Sequence, residues 1–141
     1  MSGFSLSGLT LAAPCTRVDL GEVYGDLSPF VWAVACRQIA LGPSYAITGP
    51  DGRALFVGGF VPMAEAWECW FHAAPQAAPH MVALRRLARL TLLDLPHCDP
   101  RPVETVVRTP AGARIARMLG FQRALVADGL EIWRWSRWAT P

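Results

Sequence analysis

Residues 104–121, ETVVRTPAGARIARMLGF, decide the reading of this chain, because both ends of a helix are written in them. Thr105, Val106 and Val107 form a β-branched run that favours a strand. Thr109 follows where a hydroxyl can take the first free helical N–H groups, and Pro110 sits at the first helical position, where a missing N–H costs nothing. Gly120 stands where a left-handed residue ends a helix. Between these signals Ile115, Met118 and Leu119 recur at three- and four-residue spacing, with Arg114 and Arg117 on the other side. The stretch therefore predicts a strand, a short capped helix and a turn into the next strand.

Working outward, residues 122–127 and 130–138 read as a hairpin around Asp128-Gly129. Upstream, residues 80–95 carry the strongest helical pattern, with Leu84, Leu87, Ala88, Thr91 and Leu95 inward, Arg85, Arg86 and Arg89 on a flank, and Pro96 as the stop. A Pro/Ala loop, residues 73–79, leads into that helix. In AWECWFH, residues 66–72, Trp67, Cys69 and Phe71 share one face and Glu68, Trp70 and His72 the other, as in a central strand covered on both sides. Residues 45–48 and 53–61 form a tight hairpin in which Asp51-Gly52 supplies the positive φ angles. Gly58-Gly59 within it signals a bulge or a close backbone approach. Residues 18–41 read as two helices, one over 19–24 and one opened by Ser28 and Pro29, with Phe30, Val34 and Ile39 inward and Gly42-Pro43 as the end. Residues 4–11 alternate loosely and predict a first strand that Pro14 closes.

The 141 residues make one domain, 1–141, with 52% hydrophobic and 17% charged residues and hence a sizeable core. All 13 basic residues are arginine, yet the net charge is only +2, which does not suit a nucleic-acid binder. Cys15, Cys36, Cys69 and Cys98 stand far apart, as expected of free thiols in a reducing compartment. No basic segment precedes the mildly apolar N-terminus and no apolar run approaches about 18 residues, so neither secretion nor a membrane span is expected.

The order strand, two helices, three strands, helix, strand, helix, two strands, closed by Leu119-Gly120-Phe121, resembles the GCN5-related N-acetyltransferase (GNAT) family. The resemblance implies an α/β (α+β) single domain with a mixed, mostly antiparallel sheet flanked by about four helices. The run DGRALFVGGFVP, then AWECW, is most similar in pattern to the GNAT-like proteins of bacteriophages, including internal virion proteins of T7-like phages. That likeness implies a phage or prophage protein, virion-associated or assembly-related and with a degraded acyl-transfer site, in the bacterial cytoplasm or the virion. An acetyl-CoA-dependent N-acetyltransferase with an atypical cofactor loop is the alternative.

The resemblance places the acetyl-CoA pyrophosphate at the start of the long helix, where a helix N-terminus and glycines aim N–H groups at an anion. Here that stretch is Pro75-Gln76-Ala77-Ala78-Pro79-His80-Met81, with no glycine and two prolines that lack the donor. Gln76, His80 and Met81 are the residues left to help, and weak cofactor binding or none is expected. Glu68 lies where the family often keeps a general base; a strand glutamate paired to an arginine or solvated at a cleft is the other reading. Ala116 occupies the place of the family's acid tyrosine, and Tyr24 and Tyr45 lie elsewhere. His72, His80, His97 and Cys98 lack the spacing of a zinc site, so no metal is expected. Trp133 and Trp135 share a face of the last strand, near Trp138, and predict an aromatic surface for a protein partner or a second copy.

Overall fold

The computed structural model describes residues 3–95 and 101–135. Its elements are β1 (Phe4–Leu6), β2 (Leu9–Ala12), α1 (Arg17–Tyr24), α2 (Pro29–Leu41), β3 (Ser44–Thr48), β4 (Ala54–Pro62), β5 (Trp67–Ala73), α3 (Met81–Leu93), β6 (Val103–Val107), α4 (Pro110–Leu119), β7 (Phe121–Ala127) and β8 (Leu130–Trp135). The strands form one sheet in the order β1-β2-β3-β4-β5-β6-β8-β7, antiparallel throughout except for the parallel pair β5 and β6. This is the expected mixed, mostly antiparallel sheet with four helices. His97, Cys98 and Trp138 lie outside the described residues.

Helices α3 and α4 cover one face, over a core that joins Tyr45, Ile47 and Phe56 to Leu84, Leu87, Leu119 and Phe121. Helices α1 and α2 cover the other, where Leu20, Val23 and Ala35 meet Ala46, Val57, Val61 and Trp70. The α4 signals act as their chemistry predicts. Thr109 Oγ1 accepts the Gly112 N–H at 3.0 Å, and Gly120, at φ 103°, closes the helix through N–H donation to Ala116 and Arg117 carbonyls. Thr16 and Asp19 form a reciprocal capping box at the start of α1.

Several expectations need correction. Residues 4–11 are not one strand but a hairpin, β1 and β2, because Ser7 and Gly8 take φ of 53° and 81° and turn the chain back. Gly58 and Gly59 mark close approach rather than a bulge; the register shift lies at Ile47/Thr48 instead. A Cβ on Gly59 would stand 2.6 Å from the Pro43 carbonyl oxygen and 2.8 Å from the Trp70 indole. In the 49–52 turn only Gly52 has positive φ, while the Asp51 carboxylate accepts the Arg53 N–H at 3.1 Å. Phe30 and Val34 do not face inward: Phe30 is 77% exposed, because Ala35 is the buried residue of α2. The expected aromatic surface on β8 is also absent, since Trp133 and Trp135 are buried beneath α4. They sit opposite Thr105 and Val103 on the α4 side of the sheet, and the Arg117 guanidinium covers the Trp133 ring at 5.4 Å.

Candidate functional site

Strands β5 and β6 run parallel but pair only at Trp67 with Val103 and Glu68 with Glu104. Each stays paired along its length to its outer neighbour, β4 or β8, so the sheet itself splits into a wedge. Trp67 N–H donates to the Pro102 carbonyl at 2.8 Å, on the edge that faces β6. Backbone groups alternate sides along a strand, so Phe71 turns its N–H and C=O to that same edge, past the point where pairing ends. The wedge thus offers an open strand edge in the middle of a sheet.

On the α1/α2 side the wedge opens into a cavity of about 230 Å³ whose lining includes Tyr24, Val31, Val34, Gln38, Glu68 and Arg108. Glu68 sits at the apex, the last paired residue of β5. Opposite it, Glu104 accepts two hydrogen bonds from the Arg134 guanidinium, at 2.7 and 3.1 Å. The arginine-paired strand glutamate is therefore Glu104, and Glu68 carries no ion pair among the described residues. Tyr24 stacks on His72 with ring centroids 4.1 Å apart and planes 8° off parallel. Partial desolvation in that stack pushes the His72 imidazole below its ordinary value, although the residue keeps an exposed surface, and pushes the Tyr24 phenol above its own, so near neutrality the first is uncharged and the second keeps its proton. Trp70 forms part of the wall, and its buried indole N–H has no partner.

The other predicted site residues lie apart from Glu68. The 73–79 stretch is not an open loop: Pro75–His80 winds into a 3-10 helix that runs directly into α3. Ala77 N–H donates to the Ala74 carbonyl at 2.9 Å, and Pro75 and Pro79 have no N–H, which leaves Gln76 N–H as the donor at that end. His80 lines a separate cavity of about 210 Å³ with Leu6, Ser7 and Arg86, and Met81 packs against the α3 core. The start of α3 therefore offers an anion fewer backbone donors than an unbroken helix N-terminus does. The open β5 edge, by contrast, keeps backbone donors and acceptors that an extended chain of amide groups can bond as an added strand does.

Ala116 is fully buried between α4 and the sheet, so the place of the family's tyrosine is core. Tyr45 is buried on the α3 side, and burial holds its phenol protonated. Tyr24 is the tyrosine that reaches the cavity. Sequence reasoning missed Tyr24, Gln38, Glu104 and Arg108; only the even-number alternation of 104, 106 and 108 with Glu68 across the sheet hinted at the last two. Among the described residues no cluster of three His, Cys, Asp or Glu side chains could hold a metal, and no helix is long and apolar enough to cross a membrane.

No family model matches the sequence, and neither does any curated protein. Solved structures do match. A GNAT-family acetyltransferase assignment from Bordetella pertussis superposes with a TM-score of 0.65 at 15% identity, over 96% of this chain and 100% of that one. The ribosomal-protein-S5-alanine acetyltransferase of Vibrio fischeri gives 0.64 at 10% identity, over 95% of each chain. A spermidine N-acetyltransferase of Vibrio cholerae gives 0.62 at 14% identity, over 92% of this chain and 94% of that one. The chain has the GNAT fold.

Proposed function

We propose that this protein is an acetyl-CoA-dependent N-acetyltransferase that works in the wedge between β5 and β6. The observation that carries the reading is the wedge itself: a sheet split at its centre, with Glu68 unpaired at the apex and an open strand edge beyond it. Acetyl-CoA, with its arm on the β5 edge, supplies the acyl thioester. Glu68 is the base that takes a proton from the acceptor ammonium, which must be neutral to act as a nucleophile. Tyr24 holds a phenolic proton on the cavity wall, a donor where Ala116 has none. The fold likeness to acetyltransferases supports this reading.

A second reading rests on the 3-10 helix at residues 75–80, whose prolines remove donors that a pyrophosphate needs. In it the chain is a GNAT-fold binding or assembly protein, in keeping with the bacteriophage pattern of its sequence. Calorimetric titration with acetyl-CoA, followed by an acetylation assay on a panel of amines, separates the two. Binding and transfer are expected, with Glu68→Gln lowering kcat by about 100-fold or more at an unchanged melting midpoint. Absence of both binding and transfer would favour the assembly reading.

A further inference from the structure

Arg108 and Glu68 bring opposite charges to one cavity, whose lining mixes polar Tyr24 and Gln38 with apolar Val31 and Val34. Arg108 directly follows β6 and lines both this cavity and the one beside α4. Among the described residues it makes no ion pair. Four residues, roughly 13 Å of strand, separate it from Glu104 and hence from Glu68 alongside. Such a span leaves room between the two charges for a small molecule that bonds to both. Tyr24 from α1 and Val31, Val34, Ala35 and Gln38 from α2 complete the side that faces the sheet.

We infer that the acceptor is a small amino acid with an aliphatic or aromatic side chain. Its ammonium lies at Glu68, its carboxylate at Arg108 and its side chain against Val31, Val34 and Tyr24. The inference rests on the reading of the wedge as an acyl-transfer site. Charge decides against a polyamine: Glu68 is the one carboxylate among the residues that line the cavity, and Arg108 would repel the further ammonium groups. Charge also decides against a peptide N-terminus, which has no carboxylate next to its amine and would leave Arg108 unanswered. Size agrees, since about 230 Å³ is smaller than the cavities that hold drug-sized ligands. The transfer forms an amide bond between the acceptor nitrogen and the acyl carbon as the thioester C–S bond breaks. The ammonium gives one proton to Glu68 beforehand; after the amine attacks, its nitrogen gives up a second proton as the C–S bond breaks, and the departing thiolate takes up one proton, by way of solvent or Tyr24.

Calorimetry on the purified chain tests this with L-leucine, leucinamide, N-acetyl-leucine and spermidine. Leucine is expected to bind, leucinamide about tenfold more weakly and N-acetyl-leucine not at all. Arg108→Ala should bring leucine down to the affinity of leucinamide, and Arg108→Lys should restore part of the difference. Leucinamide binding as tightly as leucine to the unaltered protein would overturn the inference, as would tighter binding of spermidine or no binding of leucine at millimolar concentration. The two proposals fail separately. Leucine binding in this pattern without transfer from acetyl-CoA would remove the acyltransferase reading alone; transfer to spermidine or leucinamide in preference to leucine would remove only the amino-acid acceptor.

Discussion

The two faces of the sheet are built to different ends. On the α3/α4 face the residues are large and sealed, with Phe56, Phe121, Leu84, Leu92 and Leu119 all but inaccessible to water. On the α1/α2 face half of the buried residues are small, namely Cys15, Ala35, Ala46, Ala54 and Ala74. Helix α2 there leaves Phe30, Val31 and Val34 exposed, although almost every residue in it is apolar. The cavity lies at the sheet split, between Val31, Val34 and Ala35 of α2 and Glu68 and Trp70 of β5. The first face holds the fold together; the second leaves room for a ligand.

Deep truncation breaks this comparison if it is wrong. Phe56 stacks between Tyr45 and Phe71, with centroids 6.2 and 6.3 Å away, so Phe56→Ala should cost about 3–5 kcal/mol of stability. Val34→Ala, on the open face, should cost less than about 1 kcal/mol. Chemical denaturation of both variants measures the contrast, and similar losses would mean that the two faces share the load.

A smaller effect sharpens the picture of the sealed face. Gly120 adopts φ 103°, and a Cβ there would stand 3.2 Å from the Trp135 indole nitrogen. Gly120→Val should destabilise by at least about 1 kcal/mol in a thermal melt, through backbone strain and through the displaced indole. An unchanged midpoint would show that the helix end is not held by this residue.

The smallest effect lies on the open face and depends on pH. Burial against Tyr24 lowers the His72 pKa in the folded chain, so the unfolded chain binds a proton there more readily. Stability from this group is complete above the ordinary histidine value of about 6.5 and is lost as the pH falls through the lower folded value. His72→Gln should flatten the fall in melting midpoint over that acidic range. An identical pH slope in both proteins would mean that the stack does not exclude water from the ring.

The sealed face was the more legible in the sequence, for a physical reason. Caps and periodicity are local, and the α4 boundaries at Thr109, Pro110 and Gly120 lie within one turn of the atoms they bond. The alternation of Trp67, Cys69 and Phe71 against Glu68, Trp70 and His72 likewise follows from strand geometry alone. What escaped was set by long-range packing. Phe30 reads as a core residue until the seating of α2 leaves it in water. Trp133 and Trp135 read as an interface until α4 covers them. Glu68 was named from a family resemblance, but its partners in the cavity meet it only through long-range packing: Tyr24 by the seating of α1 on the sheet and Arg108 by the parallel crossover from β5 to β6.

The split between β5 and β6 gives a single strand two kinds of backbone amide. Those of Trp70 and His72 face β4 and are locked into its ladder, whereas those of Phe71 and Ala73 face the opening. In deuterated water the two sets run on separate clocks: the first exchanges only when the sheet opens, the second as fast as water reaches the wedge. A molecule that laid its own amides along that edge would slow the second clock and leave the first untouched, so occupancy can be followed residue by residue without any chemistry taking place.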